Sequence, residues 1–395
     1  MSLLETILEL MSNVNKAPRQ FIVVVLTSLM CLRGKANFRN LSRYSDYHEK
    51  TYSRGFRRDF DFVKFNQLGL SQINLSGQTL IAAMDCSFIS KSGKQTYGLD
   101  KFYHGSLSKT ETGLEISTLA VVDVTYNTAY NLSTRQTPAL IQPDETRVDQ
   151  YLAHLQQDHM ALPRGIRYLV ADGYYSKTKF INGVTALKLE LIGKLRHDAN
   201  LRWLYQGEQK PRGRHRRYDG KVNFKDLSRF ELAEERDAVK LYTAMVNSAH
   251  FQRDLRIVYL VKHVGNRVQT ALLFSTDLKL AAQDLYRFYK ARFQIEFLFR
   301  DAKQFTGLND CQARCSQALH FHFNAAMTAL NLIKWEDRQQ ASDTQRQVIS
   351  IATWKIQKAN VHLLERFSSW LGLDFSSIKS RPDFQTLCHY GAITV

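Results

Sequence analysis

The sequence predicts an α/β protein in which helices lead and a mixed set of strands follows. Residues 1–75 read as helices. Two apolar runs, QTLIAAMDCSFI (78–89) and GIRYLVADGYYS (165–176), each pass through an aspartate near their ends. Such runs suit central strands buried on both faces. Residues 196–275 break the strand–helix alternation and read as a β-rich insertion.

FIVVVLTSLMCL (21–32) is too short for a membrane span and reads as a buried helix. Two short helices fit 37–44 and 50–58, with a turn at SDYH between them. Arg39, Arg43, Arg54, Arg57 and Arg58 make this segment basic. It reads either as a helix-turn-helix-like module with a basic helix for a DNA groove or as a plain helical cap. KQTYGLDKFYHGS (94–106) and GLEISTLAVVDVTY (113–126) read as two further strands joined by a polar turn. A helix at 146–160, a strand at 166–171 ending on Asp172, a helix at 177–186 and the strand LELIGKLR (189–196) follow. The insertion contains the basic loop QKPRGRHRRYDGK (209–221), with Arg212, Arg214, Arg216 and Arg217. Three strand-like runs start at Val239, Arg253 and Arg267. A helix is expected over 280–305, another over 315–335, a polar connector EDRQQASDTQRQ (336–347), and a last helical region at 347–371.

The expected domains are a helical DNA-binding domain (1–75), a core in two parts (76–195 and 279–335), the β-rich insertion (196–278) and a C-terminal helical region (336–395).

The formal net charge is +17 over 395 residues. That excess points to a polyanionic partner, most simply nucleic acid. An apolar fraction of 44% is that of a globular chain. Five cysteines, an odd number, do not form a disulfide framework, so a reducing compartment is expected. Cys311, Cys315, His320 and His322 have an unusual spacing for zinc and fall on an apparent helix. No secretory signal and no membrane span are expected. No G-x-S-x-G, H-E-x-x-H or P-loop motif is present.

YKARFQIEFLFRDAKQ (289–304) carries Tyr289, Arg292, Glu296, Arg300 and Lys303. On one helix they fall within roughly 80° of one another. Phe288, Ala291, Ile295, Leu298, Phe299 and Ala302 form the apolar back. The polar front reads either as a solvated face, with Glu296 paired to Arg292 or Arg300, or as a carboxylate among phosphate-binding groups. Asp85 and Asp172 at strand ends, with Glu296 on a later helix, can converge on a hard-oxygen site for one or two Mg²⁺ ions. Asp123 also ends an apolar strand and is the competing acid.

In this order and context the chain resembles the DDE transposases of bacterial insertion sequences, specifically insertion-sequence family four. Its Tyr-Arg-Glu-Lys signature, with two, three and six intervening residues, is matched by Tyr289, Arg292, Glu296 and Lys303. VADGYYS resembles the second-acid motif at Asp172, Gly173 and Tyr174, and MDCSFIS…GLEIS the first-acid region. TGLNDCQAR also looks familial, which favours a structural role for Cys311. The resemblance spans roughly 79–335.

It implies an RNase H-like mixed sheet with flanking helices and catalytic, metal-binding roles for Asp85, Asp172 and Glu296, with Mg²⁺ or substituting Mn²⁺. It implies phosphate contacts from Tyr289, Arg292 and Lys303. Phe293 is expected either to stack on distorted terminal DNA or simply to pack. Arg300 is a further candidate outside the signature. Arg54, Arg57 and Arg58 are expected to read terminal inverted repeats, and Arg214, Arg216 and Arg217 to grip phosphates. The expected activity is cut-and-paste DNA transposition. The expected partners are double-stranded DNA (terminal inverted repeats and target) and a second copy in a synaptic complex; the expected place is the cytoplasm, at the bacterial nucleoid. The alternatives are an RNase H-like nuclease that cuts without joining and an inactive or domesticated DNA-binding regulator.

Overall fold

The computed structural model describes residues 2–139, 144–265, 267–340 and 349–392. Helices α1 (Leu3–Glu9), α2 (Lys16–Cys31), α3 (Phe38–Leu41), α4 (Glu49–Gly55) and α5 (Phe62–Ser71) lead the chain. The run expected to be a buried helix forms most of α2. The two basic helices are shorter than expected, because α3 ends at Leu41 and α4 spans Glu49–Gly55.

Strands β1 (Leu80–Ser90), β2 (Asp100–His104), β3 (Lys109–Asp123) and β4 (Thr128–Thr137) come next, then α6 (Arg147–Asp158), β5 (Tyr168–Ala171), α7 (Thr178–Ala186) and β6 (Glu190–Leu195). The insertion supplies β7 (Leu201–Leu204), β8 (Tyr218–Lys221), β9 (Glu231–Arg236), β10 (Val239–Ser248), β11 (Arg253–Val264) and β12 (Arg267–Ser275). The chain continues through α8 (Ala282–Ala291), α9 (Gln294–Phe305), α10 (Ser316–Gln340), α11 (Ile351–Trp370), α12 (Phe375–Lys379) and α13 (Asp383–Cys388).

All these strands join one mixed sheet in the order β2-β3-β1-β5-β6-β12-β11-β10-β7-β8, with β4 pairing β3 and β9 pairing β10. The long strand β3 carries β2 and β4 on consecutive stretches of one edge. Within β4-β3-β1-β5-β6, strands β5 and β6 run parallel to β1, and β3 runs antiparallel to it. With helices on its faces, this arrangement is compatible with an RNase H-like fold. The insertion strands do not form a sheet of their own. β12 pairs with β6 through Leu272↔Leu195 to Ser275↔Ile192 and carries the core sheet onward.

Four further expectations change. Strand β4 was not foreseen, so Asp172 follows the fifth strand rather than the fourth. Its segment TAYNLSTRQT lacks apolar alternation, yet Asn131, Ser133 and Thr134 are buried. The stretch 289–304 is not one helix but parts of α8 and α9. Residues 336–340 of the expected connector belong to α10; 341–347 lie outside the described residues. Cys311 and Cys315 precede α10 rather than lying on it.

Helix α10 explains how the polar strand β4 is tolerated. The ladder of β3 and β4 slips between Leu119 and Ala120, and β4's outer backbone groups face α10. Asn331 accepts from the Asn131 N–H at 2.8 Å and donates to its carbonyl at 2.7 Å. Asn324 does the same for Thr134, at 3.2 and 2.8 Å, and Lys334 donates to the Ala129 carbonyl at 2.9 Å. Asn66 of α5 donates to the Leu132 carbonyl at 3.1 Å and accepts from Asn331 at 3.1 Å. Buried backbone groups are thus satisfied by side chains, and the sheet edge is closed. Helices α2 and α5 pack on α10, so the apolar core runs unbroken from α1 to the sheet.

Asn331→Leu keeps the γ-branched shape, though with more bulk, and orphans the Asn131 amide and carbonyl. It is expected to cost about 3–5 kcal/mol of stability, read as a lowered denaturant midpoint. A change under about 1 kcal/mol would remove Asn331 from this role.

Candidate active site

Parallel pairing of β1 with β5 matches Met84 to Ala171. Asp85 and Asp172 therefore follow at the same level on neighbouring strands; Asp172 stands at a strand end as expected, but β1 runs on to Ser90, so Asp85 is mid-strand rather than at its end. Asp172 caps the turn beyond β5, accepting from the Tyr174 N–H at 2.9 Å. Helix α9 lies against β1, β3 and β4 through the buried side chains Ile295, Leu298, Phe299 and Ala302. This packing turns Glu296 toward the two aspartates. One cleft of ≈ 850 Å³ is lined by Asp85, Asp172, Glu296, Arg300 and Lys303.

The break between α8 and α9 falls at Arg292 and Phe293, whose backbones stay right-handed helical. The Phe293 and Glu296 amides reach back only three residues, to the Lys290 and Phe293 carbonyls at 3.2 and 3.1 Å. Tightening the helix here lets α8 pack on β5, β6 and the insertion strands while α9 packs on β1, β3 and β4. The five signature-stretch residues consequently do not share one open face. Tyr289 and Lys303 are half-buried, Arg292 is buried, and Glu296 and Arg300 are exposed. The expected apolar back, from Phe288 to Ala302, is buried throughout.

Arg292 ties the site together. It donates from Nη1 to Asp85 Oδ2 at 3.0 Å and from Nη2 to Glu296 Oε1 at 2.9 Å. Its buried Nε has no hydrogen-bond partner. With Tyr289 it lines a second cleft of ≈ 1030 Å³, which shares Asp172 and Tyr174 with the first. Burial pushes the Asp85 carboxyl up to about 7. Arg292 and the Cys86 amide oppose this, and Asp172 and Glu296 add to it. Lys303 donates to the Phe88 carbonyl at 2.8 Å, and burial holds its ammonium below the ordinary lysine range.

Phe293 is exposed, with the Arg292 guanidinium 5.2 Å from its ring centroid. Arg300 pairs with Asp301 at 2.8 Å and lies over Phe297. Arg54 lies in the last turn of α4, and Arg57 and Arg58 follow the helix; all three are exposed and outside the residues lining either cleft. Arg214, Arg216 and Arg217 are exposed on the loop between β7 and β8, also outside both linings. Arg216 pairs with Asp219 and stacks on Tyr205. Asp123 is fully buried, holds Arg338 at 3.2 Å and pairs with Leu80 at the start of β1, whereas Asp85 in mid-strand pairs with Thr118. It is not part of the site.

One acid in the cleft was missed. Glu115 of β3 lines it, accepts from the Tyr151 hydroxyl at 2.6 Å, and is pushed up by burial. It sits within GLEIS, where an acid in an otherwise apolar strand was the available signal.

Three carboxylates are a hard-oxygen set of the kind that suits Mg²⁺. The push that Asp172 and Glu296 exert on Asp85 is the repulsion a divalent cation relieves. Among the described residues no three acidic, histidine or cysteine side chains are gathered as a ligand set. The cysteines and histidines at 311–322 are likewise not one; His322 bonds the Gly307 carbonyl at 2.9 Å. The residues fit a divalent ion in kind, and Arg292 is the cation that two of them hold in this arrangement.

Asp85 yields a pH prediction. Its folded value, about 7, lies above the unfolded value near 3.9. The native state therefore keeps a proton that the unfolded chain has lost, and stability falls as pH rises through this window. Asp85→Asn is expected to stabilise the protein by roughly 2–4 kcal/mol at pH 8 and by little at pH 4. Equal effects at both pH values in metal-free thermal melts would count against it.

No helix among the described residues is long and apolar enough to cross a membrane. No curated protein matches the chain. Residues 9–246, more than half of the chain, match the family model described as DDE superfamily endonuclease; the match includes Asp85 and Asp172 and ends before Glu296. The chain belongs to the DDE superfamily endonuclease family.

Proposed function

We propose that this chain is the DNA transposase of an insertion sequence, of the kind carrying the family-four Tyr-Arg-Glu-Lys signature. The observation that supports this best is the convergence of Asp85, Asp172 and Glu296 on one cleft bordered by Arg300 and Lys303. In this reading the three acids hold Mg²⁺ or Mn²⁺. A bound divalent ion would supply activation of the attacking oxygen and stabilisation of the leaving one.

The chain's own residues bind and orient DNA. Arg292 offers a planar fork for phosphate oxygens and Lys303 a point charge. Tyr289 faces the same phosphates, and Phe293, exposed beside Arg292, is placed to stack on a distorted terminal base. Water attacks the phosphodiester at the element's end and frees a 3′-OH; that hydroxyl then attacks target DNA in line. Arg54, Arg57 and Arg58 read the terminal inverted repeats, and Arg214, Arg216 and Arg217 touch phosphates outside the cleft. Residues 1–75 act as the DNA-binding part, 76–195 with 279–335 as the catalytic core, 196–278 as the insertion and 336–395 as a C-terminal helical part. Two copies pair the element's ends. The exposed Leu363, Phe367 and Trp370, aligned on α11, support a surface for that pairing. The work takes place in the cytoplasm, at the nucleoid.

The test uses purified protein and end-labelled DNA from both flanks of its gene, with Mg²⁺, with EDTA, and with Glu296→Gln in Mg²⁺. Metal-dependent breaks at defined ends, reduced at least about 100-fold in the variant, and joined products with added target DNA are expected. Breaks without joining would leave a nuclease. Binding without breaks, even with target DNA supplied, would leave a regulator.

Metal binding has its own readout. Tenfold excess of Mg²⁺ over its Kd is expected to stabilise the wild type by about 1.4 kcal/mol. At one fixed Mg²⁺ concentration the gain should be larger at pH 8 than at pH 6, because protons compete at Asp85. An identical gain in Asp85→Asn would place the ion elsewhere.

A further inference from the structure

The acid cleft does not end at Lys303. Phe88 lines it and also lines a neighbouring cleft of ≈ 910 Å³ that contains Lys35, Lys91 and Arg314. Lys35 in turn lines a hollow of ≈ 450 Å³ with Arg33, Arg39 and Arg43, and no acid is among that hollow's lining residues. The three cavities thus run in series from the acids to the basic N-terminal helices.

The floor of this path is built, not incidental. The segment 306–315 follows directly from α9. Its Asp310 accepts from the Ala36 N–H at 2.8 Å, the Cys311 carbonyl accepts from Lys91, and the Arg314 carbonyl accepts from the Tyr97 N–H at 2.9 Å. Gly307 has φ +76, and a Cβ there would lie 2.3 Å from that of Ala36. Only a glycine permits this approach of the two loops.

The charges along the path are not neutralised by carboxylates. Among the described residues, Arg33, Lys35, Arg39, Arg43, Lys91 and Arg314 form no ion pair with a carboxylate, whereas Arg196, Arg216, Arg229 and Lys240 of the insertion do. The two acids of the middle cleft are already engaged, Asp310 by Ala36 and Glu111 by His104 and Lys109. Among the described residues, five of these cations have no side-chain partner, and Lys91, though bonded to the Cys311 carbonyl, keeps its charge unpaired; unpaired positive charge along such a path suits the regular charge of a duplex backbone.

We infer that duplex DNA leading away from the reacting phosphate leaves the acid cleft over the 306–315 segment and runs to the Arg33–Arg43 hollow, with Lys91, Arg314 and Lys35 as phosphate contacts. This rests on the reading of the substrate as double-stranded DNA. Lys91 and Arg314 are contacts that neither the signature nor the basic helices pointed to.

The test measures affinity for a 40-base-pair duplex of random sequence across 50–200 mM NaCl without divalent metal. Removing three phosphate contacts with Lys35→Ala, Lys91→Ala and Arg314→Ala is expected to lower the salt slope by about 2.7 units. The affinity lost across that salt range then shrinks by about 40-fold. The charge-keeping set Lys35→Arg, Lys91→Arg and Arg314→Lys is expected to retain the slope, which separates lost charge from lost folding. Arg164→Ala, Lys188→Asn and Lys279→Ala, which lie beyond the opposite ends of the strands, serve as control. A fall under about 1.5 units, or an equal fall in the control, overturns the path while leaving DNA as the substrate. A wild type that binds no duplex removes the substrate reading itself.

Discussion

A strand at the edge of a sheet has backbone groups with no partner, and in β4 those groups face the interior. The rest of this molecule depends on how they are satisfied. Asn324, Asn331 and Lys334 of α10 supply the missing partners, which fixes α10 along the edge. Helices α2 and α5 then have a surface to pack on, and α9 is held between α10 and the sheet. Glu296 lines the same cleft as the aspartates because α9 is held there. The geometry of the acid cleft is therefore a consequence of an edge being closed by amide side chains, a polar solution inside an apolar core.

The site itself balances charge rather than avoiding it. A carboxyl desolvated in the middle of β1 is costly when ionised, and Arg292 is the counterion that this arrangement supplies. The guanidinium is planar and touches two acids at once. The helix break at Arg292 and Phe293 serves two surfaces, since α8 and α9 pack on different parts of the same sheet. In the proposed reaction the same guanidinium also faces phosphate, so binding DNA and freeing the acids draw on one group.

Much of this was legible in the sequence, for identifiable reasons. Strand β1 and the three long insertion strands announced themselves by apolar content, and Asp85 and Asp172 by ending apolar runs. Glu296 stood out through its spacing from Tyr289, Arg292 and Lys303. Strand β4 was not legible, because it buries Asn131, Ser133 and Thr134 among Ala129, Tyr130 and Leu132, and its outer backbone amides are satisfied by partners nearly 200 residues away in α10. The break in the 289–304 stretch was hidden too, since Arg292 and Phe293 keep helical backbone angles and only the hydrogen-bond spacing changes. Glu115 was overlooked because one acid among apolar strand residues gives no spacing to compare. Continuity of the insertion with the core sheet depends on the register of β12 against β6, which local pattern does not specify.

That continuity has a consequence for how the chain is made. Strand β6 is synthesised before any of the insertion, but the neighbour on its outer side is β12, about seventy residues further on. At roughly 5–20 residues per second, this edge stays uncovered for about 4–15 s on the ribosome. It exposes backbone beside Leu191 and Ile192, both buried in the finished fold. The newborn chain thus carries a sticky sheet edge that its own later sequence must reach before another chain does.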